Sequence, residues 1–389
     1  MSRALLWLRT EHKPLEQRAA VTPAVARSLI EAGYRIVVET SEQRAIDIAE
    51  YAAVGCDTAE AGDWQQAPAD AIVIGLKELD TTLGPFRHRH VHFAHAYKFQ
   101  RGWESTLAAF AAGGGKLYDL EYLVDDQQRR VAAFGYWAGY VGAGLALLAL
   151  AAQRSSNSIE ALESTASPGN TDSSQTSGLL GALDAWPHRE ALQCCVQQAL
   201  LNMAGGSGQP LQALVIGARG RSGRGAVDLC HSLGIETTAW DIKETTAGGP
   251  FDAILDHDVL INCVFVDQPV PPFTTLKHLA EPGRRLAIVS DVGCDPYGEQ
   301  NPLPIYNECT TLDNPTMRLL PATENTPPLD LIAIDHLPSL LPLESSEDFS
   351  QQLLATLLTI DELGSGAWGR AGQLFEEKLK ASCSVAASS

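Results

Sequence analysis

Basic residues are scarce in this chain: 28 lysines and arginines stand against 47 acidic residues, a formal net charge of −19 over 389 residues. Nucleic acid and anionic membrane surfaces need a basic face to offset phosphate repulsion, so neither is an expected partner, and any anion must be gripped locally. Metal-type cysteine spacing is missing as well. The eight cysteines, at 56, 194, 195, 230, 263, 294, 309 and 383, include no CxxC pair, which argues for buried thiols in a reducing compartment over a disulfide framework. The opening MSRALLWLRTEHKPLEQR has too short an apolar stretch for a signal peptide, and the closing SVAASS is not a peroxisomal address, so a cytoplasmic protein is expected. Charge is absent altogether from Val131 to Ala152. That run meets the length rule for a membrane span, but its many Ala and Gly suit close helix packing, and a buried helix is the expectation.

With 45% hydrophobic residues the chain belongs to the folded globular class, and its length implies two domains, or three at most. Its first third alternates strand and helix signals: ALLWLR, a helix from about Pro23 to Ala32, YRIVVE, AIVIGL, HVHFAHA and GKLYDL. Near-continuous apolar strands in such alternation predict an α/β fold with parallel, doubly wound sheets. After a helix from about Arg189 to Met203 the rhythm restarts with LQALVIGA, ETTAWDI, VLINCVF, RLAIVSDV and LIAIDHL. Two Rossmann-like domains are therefore expected, with the active site in the cleft between them. The predicted boundaries are 1–134 plus 342–389 for one, discontinuous, domain and 135–341 for the other. Within the latter, residues 154–177, rich in Ser, Thr, Asn, Gly and Pro, are expected to be a disordered polar insertion.

LVIGARGRSGRGAVDL places Gly217, Gly220 and Gly223 between a predicted strand and a predicted helix, where glycine allows a tight turn and close approach of a pyrophosphate to a helix N-terminus. The next strand ends at Asp241, near the customary interval of about 20 residues. A carboxylate there accepts from ribose hydroxyls and repels a 2′-phosphate, favouring NAD.

Two apolar runs, IVIGLKE and VHFAHAYK, end in ionisable groups. A strand in a buried sheet delivers its last side chains to the rim where ligands sit, so Lys77 and His95 are candidates for proton transfer. Burial and cationic neighbours would lower the Lys77 pKa, whereas Glu78 and Glu121 would raise it. His88, His90 and His92 alternate; the arginines between them suggest an exposed face, and without a paired acidic or cysteine ligand no metal is expected. Arg18, Arg129 and Arg130 flank the predicted strands, and several arginines around one cleft imply a substrate with more than one carboxylate.

Taken together, KPLEQRAAVTP, IGLKE, FAHAYK, LYDLEYL, RRVAAFG, WDIKET, GGPFD, INC, PFT and IDHLPSLLP resemble the fungal-type, NAD-dependent, lysine-forming saccharopine dehydrogenases. The resemblance covers nearly the whole chain. It implies oxidation of saccharopine at the glutamyl α-carbon and hydrolysis of the resulting imine to lysine and 2-oxoglutarate, by a monomer acting on small molecules alone. It implies that Lys77 accepts the amine proton, that His95 serves the hydrolysis, and that Glu78 and Glu121 tune both. It assigns substrate contacts to Arg18, Gln100, Arg130 and Phe134, and further charged positions to Lys13, Lys98 and Asp335. For NAD it implies Arg129, Gly220, Arg221, Asp241, Thr245, Phe265, Val292 and Ile334, Asp335, His336 and Leu337, beside the glycine turn. Ser222 stands where the fungal pattern has a cysteine able to pair with Cys263, so that disulfide cannot form here. EQRAAVTP with GLKE also resembles alanine dehydrogenase and a transhydrogenase subunit. Another opine-type substrate, or an NAD-binding regulatory protein without turnover, stays open from sequence.

Overall fold

The computed structural model describes residues 3–97, 102–163, 179–203, 210–264, 266, 268–296, 298 and 300–386. The chain forms two compact units, Met1–Phe134 with Pro342–Ser389, and Gly135–Leu341.

In the first unit, β1 (Leu5–Leu8), α1 (Pro23–Glu31), β2 (Arg35–Glu39), α2 (Ile48–Ala53), β3 (Asp57–Ala59), β4 (Ile72–Ile74), β5 (Arg89–His92), α3 (Trp103–Gly113) and β6 (Lys116–Asp119) follow in turn. The strands pair in the order β3-β2-β1-β4-β5-β6, every contact parallel. Central β4 is buried at all three positions, as a strand covered on both faces must be. Helix α1 starts at a proline in its first turn and buries Val25, Ala26 and Leu29, one stripe at helical spacing. Asp47 and Glu50 form a capping box at the start of α2. The three-residue edge strand β3, mostly exposed, carries no apolar signal and was not anticipated from sequence.

The second unit begins with α4 (Gly135–Glu163) and continues through α5 (Arg189–Leu201), β7 (Gln212–Ile216), α6 (Arg221–Ser232), β8 (Glu236–Trp240), α7 (Ile242–Thr245), β9 (Val259–Asn262), α8 (Leu276–Leu279), β10 (Ile288–Asp291), β11 (Met317–Leu320) and β12 (Leu329–Ile332). Its sheet runs β11-β12-β10-β9-β7-β8. The expectation of a parallel sheet needs one correction, because edge strand β11 is antiparallel to β12. Most of the uncharged run becomes α4, and although Gly135–Ser155 is long and apolar enough to cross a membrane, 78% of its 18-residue apolar window is buried inside the protein. It packs backbone-close on α6: a Cβ at Gly139 would lie 1.7 Å from the Ser222 carbonyl, and one at Gly225 would lie 1.9 Å from that of Tyr136.

Of the polar insertion expected at 154–177, helix α4 takes in Arg154 to Glu163, where Arg154 joins Arg285 in binding the buried Asp258 carboxylate; residues 164–178 lie outside the described residues. The chain then returns to the first unit as α9 (Pro342–Leu357) and α10 (Gly366–Ala386), which add Phe349, Leu353, Leu357 and Trp368 to one apolar cluster and Phe375 to another.

Candidate active site

All six strands of the first unit point their carboxyl ends to one edge, and β1, β4, β5 and β6 are neighbours there. The loops leaving them carry the acid-base candidates: Arg9 to Arg18 after β1, Lys77 and Glu78 after β4, His95 after β5, and Glu121 after β6. This is the edge at which doubly wound sheets bind ligands.

The centre of that edge is a triad that sequence reading did not find complete. The Glu16 carboxylate forms a two-pronged fork with Arg18, whose Nε donates to Oε1 at 2.7 Å and whose Nη2 donates to Oε2 at 2.6 Å. Lys77 Nζ stands 4.0 Å from the same Oε2. Glu16 and Arg18 are almost wholly buried, and the guanidinium lies 4.5 Å over the Phe134 ring, itself stacked on Phe349 at 4.4 Å. Burial raises the Glu16 carboxyl, but Arg18 and Lys77 outweigh it and hold the group below its usual range. Burial and the Arg18 and Lys13 charges lower the Lys77 ammonium, against the opposing pull of Glu16 and Glu78. The net direction is downward, so this ammonium gives up its proton more readily than a solvated lysine would. The available signal for Glu16 was an acid and a base two residues apart leading straight into apolar AAVTP, a context too dry for a solvated pair.

Around the triad, Lys13 Nζ meets Glu78 Oε1 at 3.1 Å. Burial raises Glu78, yet a backbone hydrogen bond, Lys13 and His95 leave it net lowered. His95 holds φ at +52°, a left-handed conformation that costs a non-glycine residue on the order of 1–3 kcal/mol and is typical of functional positions. Arg130 Nη2 donates to Glu121 Oε1 at 2.7 Å. Arg129 is exposed and tied to Asp125 at 2.9 Å. Lys98 and Gln100 lie outside the described residues.

The three alternating histidines are not an exposed face. His88 is 5% exposed and His90 and His92 are 0% exposed; His90 meets Trp64 and Phe110 edge-on and Phe86 at a tilt, and its ring lies edge-on to the other two imidazoles. Along an extended strand the arginines at odd positions face the other way and say nothing about the even ones. Among the described residues no group of three or more His, Cys, Asp or Glu is arranged for a metal.

The second unit presents its own carboxyl edge. Gly217 follows β7 with φ +80°, and its N–H, like that of Ala218, donates to the Trp240 carbonyl at the end of β8. A Cβ at Gly223 would stand 2.0 Å from the Gly217 carbonyl, so only glycine lets α6 start this close to the strand. Gly220 is the residue before the first turn of α6; a Cβ there would touch only the Gly217 carbonyl, at 3.2 Å, leaving the approach to the helix N-terminus open. Arg221 opens α6. Asp241 accepts from the backbone N–H of Arg219 at 3.0 Å and of Ile242 at 2.8 Å, which leaves lone pairs on both oxygens for hydroxyl donors. Thr245 closes the turn by donating to the Asp241 carbonyl. These residues fit a dinucleotide: a bare turn at a helix N-terminus for the pyrophosphate and a fixed carboxylate for the ribose.

Val292 follows β10, and Ile334 to Leu337 follow β12. Ile334 and Leu337 are buried in the core and offer only backbone, whereas Asp335 and His336 are at least partly exposed. Phe265 lies outside the described residues. A small pocket at the ends of β9 and β10 is lined by Asn262, Val264, Asp291 and Asn301 among others. Asp291, raised by burial, accepts from Tyr306 Oη at 2.6 Å and Asn262 Nδ2 at 2.9 Å.

Residues 7–141 match the family model of the alanine dehydrogenase/PNT N-terminal domain. Saccharopine dehydrogenase [NAD(+), L-lysine-forming] of Schizosaccharomyces pombe is 42% identical over 96% of this chain and 98% of its own length. The protein of the same name from Emericella nidulans is 43% identical over 96% and 97%. Among solved structures, an L-alanine dehydrogenase aligns with TM-score 0.60 at 16% identity, covering 92% of this chain and 90% of that one. A transhydrogenase from Sinorhizobium meliloti aligns with TM-score 0.56 at 15% identity, covering 94% and 97%. These two show the fold alone.

Proposed function

The chain belongs to the saccharopine dehydrogenase (NAD+, L-lysine-forming) family, and from that premise we propose how its residues share the work. The enzyme cleaves saccharopine with NAD in lysine metabolism, giving L-lysine and 2-oxoglutarate. The chemistry that bound NAD supplies is acceptance of the hydride from the glutamyl α-carbon; Gly217, Gly220, Arg221, Gly223, Asp241, Thr245, Phe265, Val292, Ile334, Asp335, His336 and Leu337, with Arg129, would hold it.

Lys77 takes the proton of the secondary amine as the hydride departs. Its lowered pKa, from burial and then Arg18, brings it closer to the range of a usable base, and Glu16 and Glu78 oppose that shift so that it can hold the proton. His95 then moves protons to and from the water that splits the imine, with Glu78 and Glu121 as neighbouring carboxylates. Arg18 spends its Nε–Nη2 edge on Glu16, so a substrate carboxylate would meet the Nη1–Nη2 edge. Arg130 takes a second carboxylate, and Gln100, Phe134, Lys13 and Lys98 complete the substrate surroundings. The observation that carries this reading is the desolvated Lys77–Glu16–Arg18 triad on the carboxyl edge of the sheet. We place the enzyme in the cytoplasm as a monomer without nucleic-acid or membrane partners; this is supported by free cysteines at the described positions and strong negative charge.

The test is NADH oxidation with lysine plus 2-oxoglutarate, run beside Lys77→Met and His95→Gln. Turnover requiring both substrates, reduced ~10²-fold or more in each variant, is the expected result. NADH binding without oxidation, or oxidation with pyruvate and ammonia instead, would overturn the reading.

A further inference from the structure

Burying an ion pair gains little net stability, since desolvation offsets most of the attraction. A buried pair spent on one stretch of backbone therefore calls for a reason at that backbone. Such a pair sits at the loop that presents Lys77. The side chains of Arg9 and Glu11 are 1% and 7% exposed and lie 3.2 Å apart. The two Glu11 oxygens divide between consecutive peptides: Oε1 accepts from the Leu76 N–H at 2.7 Å and Oε2 from the Lys77 N–H at 3.0 Å. Arg9 Nη2 donates to the Lys77 carbonyl from the other side. The same stretch is anchored to β5 through Gly75 N–H to the Val91 carbonyl and Phe93 N–H to the Leu76 carbonyl.

The sequence makes room for this arrangement. Strand β4 ends at Ile74, and a Cβ on Gly75 would fall 2.4 Å from Arg9 Nε, so a side chain there would evict the guanidinium. Beyond the end of the strand, the Leu76 and Lys77 amides receive from one carboxylate what a further sheet partner would otherwise supply. A loop end open to water would have solvated these amides without any buried charge.

We infer that Glu11, backed by Arg9, is a positioning residue for the reaction: it fixes the Lys77 backbone so that Nζ stays beside Glu16 and the substrate nitrogen. The inference rests on Lys77 being the base. The Glu11 carboxylate holds Lys77 by its backbone N–H, so its effect would pass through Lys77. Replacing one oxygen with an amide turns an acceptor into a donor aimed at an N–H, and the loop shifts while the fold persists.

The experiment is a double-mutant cycle in the full-length enzyme with Glu11→Gln, Lys77→Met and both together, using lysine, 2-oxoglutarate and NADH. Expected is a fall in kcat of ~10-fold or more for Glu11→Gln, since misplacement by about 1 Å can cost up to 10²-fold. In the Lys77→Met background the same change should cost less than about twofold, because residues acting as one unit are not additive. Glu11→Asp, which keeps a carboxylate but shortens its reach, should recover part of the loss and serves the cycle if the glutamine variant does not fold. Equal losses in both backgrounds would overturn the positioning role while leaving Lys77 as base. An undiminished Lys77→Met enzyme would instead overturn Lys77 as base.

Discussion

Acidification should destabilise the first unit through His90 and His92. Both imidazoles are fully buried, and all four ring nitrogens are without a hydrogen-bond partner among the described residues. Burial first, and then the Arg9 charge, depresses both well below the ordinary histidine value. The unfolded chain titrates them near pH 6.5. Above that pH both states are neutral and no stability depends on them. Below it the unfolded chain gains two protons that the fold refuses, so unfolding becomes easier by about 1.4 kcal/mol per pH unit for each histidine. For two imidazoles still neutral at pH 5, the loss between pH 7 and pH 5 is about 4 kcal/mol, a large share of the roughly 5–15 kcal/mol of a typical domain. Urea unfolding at the two pH values, followed by near-ultraviolet circular dichroism, measures it. The double variant His90→Phe, His92→Leu should lose about 4 kcal/mol less than the parent over this interval. An identical acid loss in both proteins would refute the reasoning, whatever the variant's stability at pH 7.

Two further outcomes follow from local geometry. Gly223→Ala places a methyl 2.0 Å from the Gly217 carbonyl; NADH affinity by fluorescence titration should fall at least ~10-fold, since helix α6 must retreat from the strand. Cys294 and Cys309, with sulfurs 3.3 Å apart, are both pushed up by burial, so at pH 8 an aromatic disulfide reagent should label the exposed Cys194 and Cys195 at least ~10-fold faster. Equal rates would contradict the assigned burial.

The parts of the fold most legible in the sequence were those under hard constraint. The apolar runs of β4, β7, β9 and β10 are buried on both faces and permit little else, Gly217 holds a positive φ, and Gly223 sits where any side chain would collide with backbone. The edge strands β3 and β11 are short and partly exposed, so their composition carried no comparable demand. In the site, Lys77 and His95 were readable because they close apolar runs. Glu16 was not, because an acid two positions from Arg18 looks like an ordinary surface pair until the burial of both is known. The histidines of β5 were misjudged by reading neighbours along the chain where the strand's alternation makes next-nearest positions the relevant ones. Glu11 is legible only in three dimensions, since the peptides it holds lie far along the sequence.

The first unit is built from both ends of the chain, and this sets an order on synthesis. Residues 1–134 leave the ribosome without Phe349, Trp368 and Phe375, which complete their apolar clusters. At about 5–20 residues per second, the intervening segment takes on the order of 10–40 s to emerge. By the end of that interval the second unit can close on itself, while the nascent sheet of the first must still wait with uncovered apolar surface. The half that carries Lys77 is thus the last to mature and the one most in need of a chaperone's cover.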